Sequence, residues 1–153
     1  MKRFSLREIA KSRFVRASVE AEVLRRAAVE ATAADGALLD ASLAQQAHVV
    51  PGGKYEEFGK LDYEFHSILC RIAKVDFAFE VIASEKASVD RLCMLSLSKE
   101  DRMEDLLEDH RKIAECIKAG DADGAVAAGM FHLSRLDATI DAIFKDNRDY
   151  FET

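Results

Sequence analysis

The chain has no tryptophan, a single proline and only seven glycines among 153 residues. So few turn formers leave little room for a loop-rich architecture and fit a helix-rich one. Its three cysteines, Cys70, Cys93 and Cys116, are odd in number, widely spaced and form no C-x-x-C pair. That excludes a disulfide framework and a thiolate zinc knuckle, and a reduced, cytoplasmic chain is expected. No apolar run reaches the ~18 residues of a membrane-spanning helix. The basic residues at the start are not followed by the apolar stretch of a signal peptide. Excess positive charge is missing too, the formal net charge being −6. Lys2, Arg3, Arg7, Lys11, Arg13 and Arg16 do cluster, but Glu8, Glu20 and Glu22 dilute them. Such a stripe solvates a helix and makes a poor grip for a phosphate backbone.

What is there is helical period. At this length one domain with its own core is expected, and apolar residues recur at 3.6-residue spacing nearly throughout. Six helices are predicted. The first spans about 5–33, with Val15, Val19, Val23 and Ala27 inward and a break near Ser12. Asp35-Gly36 reads as a turn, with Asp35 capping a second helix that ends near His48. After Pro51-Gly52-Gly53, a third helix runs from about Tyr55 to Lys74. A fourth follows the break at Val75-Asp76 and reaches Ser96, with Phe79, Ile82, Val89, Leu92 and Met94 as core positions. Ser98 caps a fifth that runs to Ala119. Gly120 suits a helix C-terminus and Asp121 an N-cap, so a tight turn should lead to a sixth helix ending near Lys145. Short connections favour antiparallel neighbours in an all-α bundle. Residues 1–4 and 146–153 are expected to fray.

Four polar residues break the apolar faces. Asp62 and His66 are four apart, one above the other, among Phe58, Leu61, Phe65 and Leu69. His110 shares a face with Leu106 and Ile117. His132 lies on a face with Ala125, Ala128, Gly129, Leu136 and Ile140. His110 stands ten residues before Gly120 and His132 eleven after Asp121. Two antiparallel helices rising about 1.5 Å per residue therefore bring both rings to one height. A buried carboxylate is costly unless a cation compensates it. Three imidazoles and one carboxylate aimed inward suit zinc, nickel, manganese, iron or cobalt. A single inward histidine is ordinarily a core residue bonded to a carbonyl; four donors from three helices are less readily explained so. Cys70 continues the Asp62 and His66 row and is expected as a buried thiol rather than a ligand.

These residues carry a resemblance. LDYEFHSIL resembles the L-D-x-x-F-H-x-x-L segment of the FCD domain, the C-terminal sensor of the FadR subgroup of GntR-type transcription regulators. EDHRKIAECIKAGDADGAVAAGMFHL is similar to that family's E-H-x-x-I-x-x-A-I-x-x-G-D-x-x-x-A-x-x-x-M-x-x-H-L stretch, and DRLCMLSL to its R-L-x-x-L-S-L. FVRASVEAEVLRRAA resembles the opening helix more loosely. The likeness covers about 5–145. It implies an antiparallel bundle that binds a divalent metal and a small organic acid, with Asp62, His66, His110 and His132 as metal ligands. It also implies effector contacts from Arg91, expected to face the cavity, and from Arg16. The sequence departs from the family at Asp109, where Glu is usual and an outward position is expected. It departs again at Gly129, where Met is frequent and the smaller residue is expected to widen the cavity.

The resemblance further implies a homodimer that reaches DNA only through a winged-helix domain, which these residues do not contain, and no membrane partner. The expected role is therefore a non-enzymatic sensor. Two rivals are a metal-dependent hydrolase or lyase and a purely structural dimerisation bundle. The first needs a general base outside the ligand set. No inward acid is evident for it, with Glu64 and Glu108 left unplaced.

Overall fold

A computed structural model describes residues 3–93 and 99–152, with backbone alone for residues 93 and 99–101. It is an all-α bundle of six helices: α1 (Leu6–Glu30), α2 (Ala33–Val49), α3 (Tyr55–Ile72), α4 (Ala78–Cys93), α5 (Lys99–Lys118) and α6 (Ala122–Asp146). The expected end of the fourth helix at Ser96, the Met94 core position, the Ser98 cap and part of the R-L-x-x-L-S-L match lie outside the described residues.

Local chemistry sets the boundaries. Ser5 caps α1 by accepting the Glu8 amide at 3.2 Å, and the helix runs without a break at Ser12. It stops at Glu30, earlier than the period suggests, because Thr32 starts the next helix with a reciprocal capping box. The Thr32 hydroxyl accepts the Asp35 amide at 3.2 Å, and the Asp35 carboxylate accepts the Thr32 amide at 2.9 Å. Asp35 and Gly36 are thus the first turn of α2 and not a loop, and Thr32 is the cap. The α5–α6 turn is as expected. Gly120 takes φ 72°, the Asp121 amide reaches back to the Cys116 carbonyl at 2.9 Å, and Asp121 accepts the Gly124 amide at 2.9 Å.

The inward face of α1 is rotated from the expected one in its first half. Arg16, Glu20, Val23, Leu24, Ala27 and Ala28 are buried, whereas Val15 is exposed. The tail is also ordered differently from the expectation of fraying. A 3-10 turn at Arg148–Tyr150 delivers Phe151 into the bundle, 2% exposed. Its ring lies 5.0 Å from Phe144 and 6.1 Å from Phe4. The Phe4 amide donates to the Tyr150 carbonyl and the Glu152 amide to the Phe4 carbonyl, each at 2.7 Å. Burying a side chain of this size stabilises by roughly 2–3 kcal/mol, enough to hold a short tail.

Among the described residues, three apolar clusters fill the interior. One joins α1, α2, α3 and α5 through Leu24, Leu39, Phe65 and Ile113. A second joins α4, α6 and the tail through Leu92, Leu133 and Phe151. A third joins α2, α3 and α5 through Val49, Phe58 and Met103. Buried polar residues occupy the seam between them. Asp62 separates Phe58 from Phe65 on α3, and His110 separates Leu107 from Ile113 on α5.

Candidate metal centre

Asp62, His66, His110 and His132 are all buried, and each offers one ligand atom such that all four atoms lie within 4.8 Å of one another. The spacing argument for the α5–α6 turn therefore holds in three dimensions: the His110 and His132 rings are 4.9 Å apart. Asp62 Oδ1 stands 3.3 Å from His66 Nε2 and 3.2 Å from His110 Nε2. None of these three buried atoms has a hydrogen-bond partner. Three orphaned ligand atoms aimed at one point are unfavourable in an apolar core, and imidazole and carboxylate donors are of the kind that suits a borderline divalent ion.

Each ring is anchored from behind. His66 Nδ1 faces Glu20 Oε1 at 3.1 Å, His110 Nδ1 faces Gln46 Oε1 at 2.7 Å, and His132 Nδ1 faces Asp109 Oδ2 at 3.0 Å. Such partners fix the ring and turn the other nitrogen toward a ligand. The acids are themselves held, Glu20 by Arg16 Nε at 2.5 Å and Asp109 by Arg135 Nε at 2.6 Å. Asp62 Oδ2 receives the Lys86 ammonium at 2.6 Å.

These contacts set the charges. Burial is the largest influence on Asp62 and opposes its charge. Lys86, His110 and His66 together overcome it and hold the carboxyl well below its ordinary range. Glu20 is lowered likewise, burial being outweighed by Arg16 and His66. Burial also pulls His66 down most strongly, but the carboxylates on its two nitrogens together raise it above the usual imidazole value. Burial pushes His110 down to about 4 against the pull of Asp62 and lowers His132 against Asp109. His110 and His132 therefore keep free lone pairs at neutral pH. Burial pushes the Cys70 thiol up to about 12, so it stays protonated.

A cavity of about 540 Å³ opens between α3, α4 and α5, with Asp62 and Lys86 in its lining. Its other walls include Tyr55, Phe58, Tyr63, Leu106 and Arg102, and Arg102 keeps a buried guanidinium nitrogen without a hydrogen-bond partner.

The two arginines singled out from the sequence fare differently. Arg16 is buried against Glu20, and one of its terminal nitrogens has no hydrogen-bond partner. Arg91 does not face the cavity. It is exposed near the end of α4, because the inward row of that helix is Ile82, Lys86 and Val89. Asp109, expected outside, is buried. Gly129 does not widen the cavity either: a Cβ there would meet Leu24 Cδ1 at 2.2 Å, so the missing side chain lets α1 approach α6. Glu64 and Glu108 are exposed, which leaves neither beside the centre as a general base.

Sequence reasoning passed over Gln46 and Lys86, read Glu20 as part of a solvated stripe and expected Asp109 outside. Their signal was position: each falls on an inward row, Glu20 three before Val23, Gln46 seven after Leu39, Lys86 four after Ile82, and Asp109 four before Ile113.

A profile of the FCD domain matches residues 12–135. The HTH-type transcriptional repressor RspR of Escherichia coli K12 is 30% identical over 149 residues, which cover 97% of this chain and 65% of that protein. The HTH-type transcriptional regulator YdfH of Shigella flexneri is equally similar over the same shares. The chain thus spans about two thirds of the curated relatives it matches.

Proposed function

Because this chain belongs to the FCD domain family, we propose that it is the effector-sensing part of a GntR-type transcription regulator. In this reading it holds a divalent metal ion and binds a small organic acid. The observation that carries it is the convergence of Asp62, His66, His110 and His132 within 4.8 Å, three of their donor atoms being buried without partners. When bound, the ion supplies Lewis-acid positions for a carboxylate oxygen. The chain does the rest. Glu20, Gln46 and Asp109 orient the three rings. Arg102, which lines the cavity with an unpartnered guanidinium nitrogen, supplies charge for the acid, while Arg16, on α1 and outside that lining, holds Glu20 behind His66. Arg91, exposed on α4, has no part in this reading.

An acid seated in the cavity would touch α3, α4 and α5 at once and favour one packing of the three over another. A homodimer would pass that bias to DNA-binding domains of the HTH type named in the relatives. The work of the chain is then binding without turnover, in the cytoplasm. Among the described residues no helix is long and apolar enough to cross a membrane.

Elemental analysis and titration calorimetry test the reading. Purified protein should carry about one divalent ion per chain, and it should bind members of a panel of hydroxy acids and sugar acids saturably and without conversion. Chelation, or His110→Ala, should remove both the ion and the acid affinity. Protein with only trace metal, or acid binding indifferent to chelation, would defeat the proposal.

A further inference from the structure

Lys86 lines the cavity, yet its ammonium is already engaged by two carboxylates. It meets Asp62 Oδ2 at 2.6 Å, Asp90 Oδ2 at 3.0 Å and Asp90 Oδ1 at 3.1 Å. The Tyr63 ring lies beneath it at 4.9 Å, and the Tyr63 hydroxyl donates to Asp90 at 2.9 Å. Two carboxylates and an aromatic face already surround the ammonium, so an incoming acid would have to compete with both for it. Lys86 must therefore act through Asp62. The two oxygens of that carboxylate have different neighbours: Oδ2 meets Lys86, and Oδ1 meets His66 and His110.

We infer that Lys86 is a positioning residue that restricts Asp62 to a single ligating oxygen and thereby sets how many positions of a bound ion remain open to an acid. The inference rests on the metal-and-acid reading above. Carboxylates bind hard cations through one oxygen or two. Turning Oδ2 toward an ion would break a charge-assisted bond between two buried groups, which is costly. In an octahedral ion, four single-atom ligands leave about two positions free, and a two-oxygen Asp62 leaves about one. An acid that chelates through a carboxylate and a neighbouring oxygen needs both.

Water-proton relaxivity of the full chain loaded with Mn²⁺ counts exchangeable waters. Wild type should show about two per ion, and Lys86→Met about one, halving the inner-sphere relaxivity. Mn²⁺ affinity should hold or rise in Lys86→Met, since a competing cation is gone. Affinity for glycolate, a chelating probe, should fall about tenfold or more. A merely structural lysine would weaken Mn²⁺ and glycolate together and leave the water count alone. Lys86→Arg should keep the wild-type count. If circular dichroism shows Lys86→Met unfolded, Lys86→Gln takes its place with the same expectation. A folded Met or Gln variant with wild-type relaxivity per bound ion overturns the inference while the sensor reading stands. A wild-type chain that takes up neither Mn²⁺ nor any other divalent ion overturns both.

Discussion

His110 shows how a single side chain can be both a core residue and a ligand. Its ring stacks on Phe65 at 4.4 Å and nearly parallel to Phe58 at 6.4 Å, so it packs as an aromatic while Nε2 stays bare. Those walls are what lower its pKa to about 4. In the unfolded chain the ring titrates at its ordinary value of about 6.5. On acidification the unfolded state takes up its proton first, so this part of the stability is complete above about pH 6.5 and is lost as pH falls toward about 4. Between pH 7 and pH 5 the loss is about 2 kcal/mol by linkage. Urea unfolding of chelator-treated protein at the two pH values should show it in wild type. The same measurement should show a loss smaller by about that amount in His110→Phe, whose ring fits the stacked slot but has nothing to protonate, the contributions of His66 and His132 remaining. The sequence made His110 legible through its apolar neighbours at helical spacing. Gln46 was hidden because an uncharged amide on a helix reads as surface until a ring nitrogen is placed 2.7 Å from it.

Among the elements, the α5–α6 hairpin does most to assemble the centre. Gly120 and Asp121 are a turn signature that sequence reveals directly, and the turn alone brings two imidazoles level. Gly120 holds φ 72°, a left-handed conformation costing an ordinary residue about 1–2 kcal/mol. A Cβ at that position would meet only the Ala28 carbonyl oxygen at 3.8 Å, an ordinary contact, so backbone strain is the whole penalty. Gly120→Ala should therefore lower the melting temperature by about 2–8 °C in a calorimetric scan, with the metal content per folded chain unchanged. The α1–α2 junction was less legible. Asp35-Gly36 looks like a turn in one dimension, and only the reciprocal bonds between Thr32 and Asp35 show that the helix has already begun. Gly129 misled for a related reason: a missing side chain marks space, but sequence does not say whether ligand or a neighbouring helix fills it, and here Leu24 does.

At the scale of the whole molecule, six helices and their order were readable because every amphipathic period in the chain is helical. The tail was not, because eight residues with one inward aromatic carry no period at all. Phe151 nevertheless belongs to the cluster that includes Leu133 and Leu136 on α6. Phe151→Ala should cost about 3–5 kcal/mol, read as a shift of the urea midpoint. It should leave metal stoichiometry intact, since none of the four ligands belongs to that cluster. The clasp between Phe4 and residues 150–152 has a wider consequence. Helical proteins commonly begin to unravel at their extremities, where few bonds resist. Here the approach to α1 and the stretch after α6 are tied to one pole of the bundle by the same pair of amides. A strain applied to the start of α1 is thereby felt at once where α6 ends, on the helix that carries His132.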